Sequence, residues 1–185
     1  MSSRTGAPAT ERAEGALRPA RHSTGEFTLR WAAREDLEAI AVLDQKVFPQ
    51  LSYPMFVLRQ HLDAQPQSIF QVIEADGVVC GYALAAVVSS EQKAWLLGLA
   101  VAEEYRGRHY GDALLSAVLR QCRRDGVRRM LITVRPNNEA ALGLYQKYHF
   151  RKTSSEENYY GDSEPREILQ SELDEDLSRP FSYNG

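Results

Sequence analysis

Sulfur and imidazole are scarce in this chain, and their scarcity removes whole classes of chemistry. Among 185 residues there are two cysteines, Cys80 and Cys122, and four histidines, His22, His61, His109 and His149. The cysteines lack the C-x-x-C spacing of metal or redox sites and fall in predicted strand and helix, so both read as small buried hydrophobes. The histidines fall on four separate elements without an H-E-x-x-H pair, so no metal site is expected. His61 reads as a residue at a helix surface or boundary. The G-x-S-x-G elbow, the Walker loop and the G-x-G-x-x-G fingerprint are all missing. That sets aside the commonest hydrolase, NTPase and dinucleotide-binding readings.

Long apolar runs are also lacking. The longest, Val78 to Val88, contains Gly81 and falls far short of the roughly 18 residues a membrane-spanning helix needs. Residues 1–25 contain no apolar h-region, so no secretory signal is read and the cytoplasm is the expected compartment. Neither sign of charge dominates: 22 Lys and Arg against 25 Asp and Glu give a net charge of -3. Such a balance offers no overall attraction to nucleic acid or to an anionic membrane, and neither is an expected partner.

What is present suits one soluble domain, with 43% hydrophobic and 25% charged residues. Residues 1–25 and 174–185 have little to bury against the entropy of ordering and are expected to be a disordered tail and a flexible tail. The folded part is expected at 26–173. Phe27, Leu29 and Trp31 alternate with polar residues as in a strand, and a helix is predicted from about Glu35, with Leu37, Ile40, Ala41 and Val47 on one face. The prolines of FPQLSYPMF, Phe48 to Phe56, end that helix and open a second, which carries Leu58, His61 and Leu62. Ile69–Glu74 and Val78–Ser89 read as strands joined by a hairpin at Ala75-Asp76-Gly77. Met130–Val134 reads as a strand, Asn137 or Asn138 caps a short helix through Tyr148, and Phe150 and Ile168–Leu173 mark two last strands. The order β-α-α-β-β-β-α-β-α-β-β predicts a mixed α/β fold with helices on both sides of the sheet.

The stretch Trp95 to Leu119 organises the rest. An apolar strand leads into a polar turn and then into a helix whose Leu114, Leu115, Val118, Leu119 and Cys122 recur at helical spacing until Gly126 stops it. A helix N-terminus leaves its first amides unpaired and carries partial positive charge, so beside Arg106 and Arg108 it suits a phosphate. An ordinary strand-to-helix connection with solvated arginines is the alternative. Arg120, Arg123, Arg124, Arg128 and Arg129 cluster at the far end of this helix. They read as a solvated face, with a reach to a ligand phosphate or an acidic partner as the alternative.

The turn Arg106-Gly107-Arg108-His109-Tyr110-Gly111 resembles the pyrophosphate loop, Arg/Gln-x-x-Gly-x-Gly/Ala, of the GNAT superfamily of acyl-CoA N-acetyltransferases. It matches at Arg106 and Gly111 and departs at His109, where the family usually has glycine. Thr133 to Phe150, TVRPNNEAALGLYQKYHF, resembles the family's second motif, with His149 in the usual glycine position. The resemblance covers nearly all of the folded part. It implies a mostly antiparallel seven-stranded sheet flanked by about four helices, with two central strands splayed near Val101 and Val134. It also implies acetyl-CoA as cosubstrate, held by Leu99, Ala100, Val101, Arg106, Gly107, Arg108, His109, Tyr110, Gly111, Asp112 and Asn138. Backbone amides around Leu99 to Val101 would face the thioester carbonyl, and Tyr145 would protonate the departing CoA thiolate.

On the acceptor side, Phe48 and Tyr53 resemble the loop that lines the acceptor pocket of N-terminal acetyltransferases, the ribosomal-protein branch among them. Tyr159 and Tyr160 resemble their tyrosine pair. Trp95 and Thr133 complete the expected acceptor side. Related N-terminal acetyltransferases often place Glu or His at the position of Thr133; threonine is no base, so the amine proton is expected to leave through water, with Glu91, Glu103 or Glu104 as candidate acceptors. Three readings stay open: acetyl transfer to the α-amine of a peptide or protein, acetyl transfer to a small amine, and a non-catalytic CoA-binding module. The amine acceptor is the expected partner, and the chain is expected to be a monomer or homodimer.

Overall fold

The computed structural model describes residues 27–173. The tails expected at 1–25 and 174–185 lie outside the described residues. Within them, seven strands form one sheet: β1 Phe27–Trp31, β2 Ser68–Ala75, β3 Val78–Val88, β4 Lys93–Val101, β5 Arg129–Val134, β6 Arg151–Glu156 and β7 Arg166–Glu172. The spatial order is β1-β2-β3-β4-β5-β7-β6, and every neighbouring pair is antiparallel except β4 with β5. The four helices are α1 Leu37–Val47, α2 Met55–Asp63, α3 Tyr110–Arg124 and α4 Glu139–Lys147.

Local chemistry accounts for these boundaries. The β2–β3 turn places Asp76 at φ 54° and Gly77 at φ 76°, both left-handed, as a two-residue hairpin turn requires. Before α1, a 3-10 turn at Arg34–Asp36 moves the regular helix start to Leu37. Arg30 clamps Asp36 there, with Nη1 to Oδ2 at 2.7 Å and Nη2 to Oδ1 at 2.8 Å, and Ala33 N donates to Oδ2 at 2.8 Å. The guanidinium holds the Asp36 carboxyl below its ordinary range. Asn138 is the cap of α4, accepting from Ala141 N at 3.2 Å.

The sheet separates two apolar layers. Under α3 and α4 lie Ile69, Ile73, Leu114, Leu115, Leu119, Met130, Ile132 and Tyr145, with both cysteines buried among them. Under α1 and α2 lie Ile40, Leu43, Leu58, Phe70, Val72, Tyr82 and Leu84. Each fully buried leucine contributes about 2 kcal/mol through area removed from water. Two layers require strands with apolar residues on both faces, and β2 has them. By contrast β6 is exposed at every position, as a polar edge strand should be.

Candidate active site

The central strands part as expected. β4 pairs with β5 only from Lys93 to Leu96, against Arg129 to Ile132. Beyond Leu96, β4 runs on to Val101 with no partner on that side, while Thr133 and Val134 of β5 pair with β7. The parting coincides with a bulge: Leu84 opposes Gly98, the next residue Ala85 opposes Leu96, and Leu97 is the extra residue. Bulges bend a strand and increase its twist, which carries β4 away from β5. Gly98 allows the bend, because a Cβ there would lie 2.9 Å from the Tyr82 hydroxyl.

Alternation then decides which backbone groups face the gap. Ala102 N donates to Cys80 O at 2.8 Å, so even-numbered residues of this segment face β3 and Leu99 and Val101 turn their amides and carbonyls to the vacated side. Arg106 Nε reaches the Val101 carbonyl at 3.3 Å, in keeping with that direction. Ala100 differs from its neighbours. It is paired with Tyr82 and only 2% exposed, so its polar atoms belong to the β3 ladder.

At the end of β4 the chain makes a 3-10 turn, Glu103–Tyr105, and enters α3. Gly107 has φ 75° and His109, the residue before the helix, φ 60°. The left-handed shape that the family writes with glycine is therefore kept by a histidine, at a cost of about 1 kcal/mol. His149 repeats this at φ 61° in the turn that ends α4. The first helical bond of α3 runs from Ala113 N to His109 O at 3.0 Å. The amides of Tyr110, Gly111 and Asp112 precede it, and no side chain caps them, which leaves three donors at the positive end of a helix dipole. A Cβ at Gly111 would lie 3.6–3.9 Å from Leu144, Leu99 and Val101, so this turn, α4 and the open edge of β4 converge.

Three expected residues play different parts from their neighbours. The Tyr110 ring is 3% exposed, tilted against Phe27 at 5.2 Å and stacked on Tyr105 at 6.2 Å, so its side chain belongs to the core and its amide to the turn. Arg108 lies over the Tyr105 ring at 5.2 Å. Asn138, exposed, uses its side-chain oxygen on the cap of α4.

Tyr145 sits in the α3/α4 layer with Leu99, Val101, Ile132 and Val134, 6% exposed, its ring 5.7 Å from Phe150. Burial alone raises its phenol above the ordinary tyrosine range, and no hydrogen bond contributes. The opposite face of the gap gathers the acceptor-side residues. Tyr53 OH donates to Leu97 O at 3.2 Å, and burial, with smaller contributions from Tyr160 and Asp44, pushes its phenol up to about 12. Thr133 Oγ1 and Tyr160 OH are 3.0 Å apart, and Tyr159 meets Tyr160 edge-on at 4.7 Å. Phe48 ends α1 at the head of the same loop, and Trp95 lies on the half-buried side of β4 before the bulge.

Several participants were not read from sequence. Arg166 stacks on Tyr160 at 4.9 Å and pairs with Glu164, which Arg135 also grips at 2.9 and 3.0 Å. These pin the tyrosine loop to β5. Asp44, fully buried, lies behind Tyr53; its spacing of seven from Leu37 on an apolar face was the available signal. Glu91 forms an ion pair with Lys93 at 2.6 Å, at the paired end of β4 and away from the gap. Glu103 and Glu104 are exposed in the turn before α3.

The family model described as "Acetyltransferase (GNAT) family" matches residues 28–150. An N-alpha-acetyltransferase of Saccharolobus solfataricus is 28% identical over 155 residues, covering 78% of this chain and 92% of that protein. A putative ribosomal protein bS18-alanine N-acetyltransferase of Bacillus subtilis is 33% identical over 98 residues, 53% of this chain and 64% of that one. Among solved structures, Ard1 from Thermoplasma volcanium superposes with a TM-score of 0.73 at 28% identity, covering 80% of this chain and 97% of that one.

Proposed function

The chain belongs to the acetyltransferase (GNAT) family, and from that premise we propose that it transfers an acetyl group from acetyl-CoA to the α-amine of a peptide or protein. The observation that carries this is that β4 leaves β5 after Leu96, so that from Leu97 to Val101 its β5 side is open, near the uncapped start of α3 and the layer that holds Tyr145. The residues present fit acetyl-CoA. The free amides of Tyr110, Gly111 and Asp112 with Arg106 suit a diphosphate, and the bare edge of β4 suits an extended amide-bearing arm that pairs as a strand would.

When bound, acetyl-CoA supplies an activated acyl carbon and a thiolate leaving group. The Leu99 and Val101 amides point into the gap, where they stabilise negative charge developing on an acyl oxygen. Tyr53, Thr133 and Tyr160 would hold the acceptor amine on the other face, where positioning would supply much of the rate. The amine gives up one proton to water. Tyr145, kept protonated by burial, would hold the proton that a thiolate leaving group needs and would be reprotonated from solvent. In this reading residues 26–173 are the acetyltransferase domain, working in the cytoplasm as a monomer or homodimer.

The test is to incubate the full chain with acetyl-CoA and a panel of peptides, a lysine-containing blocked peptide, polyamines and amino sugars, and to locate the acetyl group by mass spectrometry. Acetyl on the peptide α-nitrogen is expected. Acetyl confined to small amines would replace this acceptor, and CoA binding without turnover on any amine would make the chain a binding module.

A further inference from the structure

A carboxylate sealed in the α1/α2 layer has no place in the steps above. Asp44 is 0% exposed, and no cation pairs with it among the described residues. It also sits in the last turn of α1, where the helix dipole disfavours negative charge. An arrangement of that kind opposes stability unless the two oxygens are occupied, and here both are. Oδ1 accepts from the Tyr82 hydroxyl and Oδ2 from Tyr53 N at 2.6 Å.

Those two donors meet β4 at adjacent residues. A Cβ on Gly98 would lie 2.9 Å from the Tyr82 hydroxyl, and the Tyr53 hydroxyl donates to Leu97 O at 3.2 Å. Leu97 and Gly98 are the bulge from which β4 leaves β5. One carboxylate thus ties the acceptor-side loop and the bend of the strand into one unit. The carboxylate accepts from both; an amide in its place would accept from Tyr53 N and turn its N–H₂ to the Tyr82 oxygen, reversing that bond and removing its charged acceptor.

We propose that Asp44 is a positioning residue for the acceptor: by holding Tyr82 against Gly98 and Tyr53 against Leu97, it sets where the amine stands relative to the gap. The proposal rests on the acetyl-transfer reading given above. Tyr82 is fully buried and cannot touch an acceptor, so any effect of its hydroxyl on acceptor use must pass through Asp44 or the bulge.

The experiment compares the full chain with Asp44→Asn, Tyr82→Phe and the double variant. It measures kcat/KM for a peptide acceptor at saturating acetyl-CoA and CoA affinity by calorimetry. Each single variant is expected to lose on the order of 10-fold or more in peptide kcat/KM, the scale of a hydrogen bond to a charged group. CoA affinity should stay within about twofold, and the double variant should fall no further than the worse single, as coupled partners do. Tyr82→Phe with unchanged peptide kcat/KM would overturn the proposal, and so would CoA affinity falling in step with it. If Asp44→Asn does not fold, Tyr82→Phe alone decides, since it removes one hydroxyl and keeps the ring. If the unaltered chain acetylates nothing, the acetyl-transfer reading fails instead. Amide exchange at Tyr53 then decides the network: faster in Tyr82→Phe supports the coupling, and unchanged overturns it.

Discussion

Tyr145→Phe should separate catalysis from stability. The perturbation removes one oxygen from a residue that is 6% exposed and whose hydroxyl has no hydrogen-bond partner among the described residues. Its ring keeps its place beside Phe150 and in the α3/α4 core. Deleting a partnerless hydroxyl costs no hydrogen bond, so stability should move by less than about 1 kcal/mol and rise if it moves at all. For a domain of this size that is at most about 4 °C in Tm. If the phenol protonates the leaving sulfur, kcat should fall on the order of 100-fold, the usual worth of a positioned general acid. CoA affinity should be retained. Burial raises the phenol pKa, so its protonated form persists across and above the ordinary tyrosine range. Accordingly kcat in the unaltered protein should show no alkaline loss below about pH 10 from this residue. The assay is steady-state acetyl transfer from pH 6 to 10 beside thermal melts of both proteins. A Tyr145→Phe protein with full kcat throughout would refute the assignment, and one with lost kcat but a large drop in Tm would refute the claim that its hydroxyl has no structural partner.

Further changes test other parts of the site. Arg106→Ala should raise KM for acetyl-CoA on the order of 10-fold and leave the peptide KM unchanged, in initial-rate measurements varying each substrate. His109→Gly should change stability by less than about 1 kcal/mol, since relief of a left-handed residue is offset by glycine's entropy, whereas His109→Val should cost about 2 kcal/mol in urea unfolding. Arg30→Met should cost about 2 kcal/mol at pH 7 by leaving buried Asp36 unpaired, less than a fully buried pair because the Arg30 side chain is 35% exposed. The Asp36 pKa is depressed in the fold, so its contribution is present above about pH 4 and lost as pH falls further. Arg30→Met should flatten that acid limb in a stability–pH profile.

The sequence made the elements legible wherever one periodicity ruled. The helical spacing of Leu114 to Cys122 and the Asp76-Gly77 turn each left a single solution, and seven strands and four helices follow in the expected order. Arg106 and Gly111 were legible through their match to the family's loop pattern, and the helix start behind them has no side-chain cap in the fold. Pairing at a distance was not legible. That β7 inserts between β5 and β6 depends on long-range partners, and the fully exposed β6 carries no apolar pattern to read. Gly98 in an apolar run was a visible hint of a bulge, but its cause, the Tyr82 hydroxyl held by Asp44, joins residues 38 positions apart. The grip of Arg166 and Glu164 on Tyr160 and β5 likewise exists only once the sheet has formed. Local chemistry therefore announced the helix start beside Arg106, and tertiary contacts built the cluster of Tyr53, Thr133 and Tyr160.

Residue-resolved amide exchange on the full chain, with and without acetyl-CoA, tests the central claim most directly. Selective slowing is predicted at Leu99 and Val101 on the open edge of β4, and at Tyr110, Gly111 and Asp112 at the start of α3. Ala100, already paired with β3, should not change. Saturating acetyl-CoA that leaves these five amides as they were, or that protects a different surface, would contradict the account.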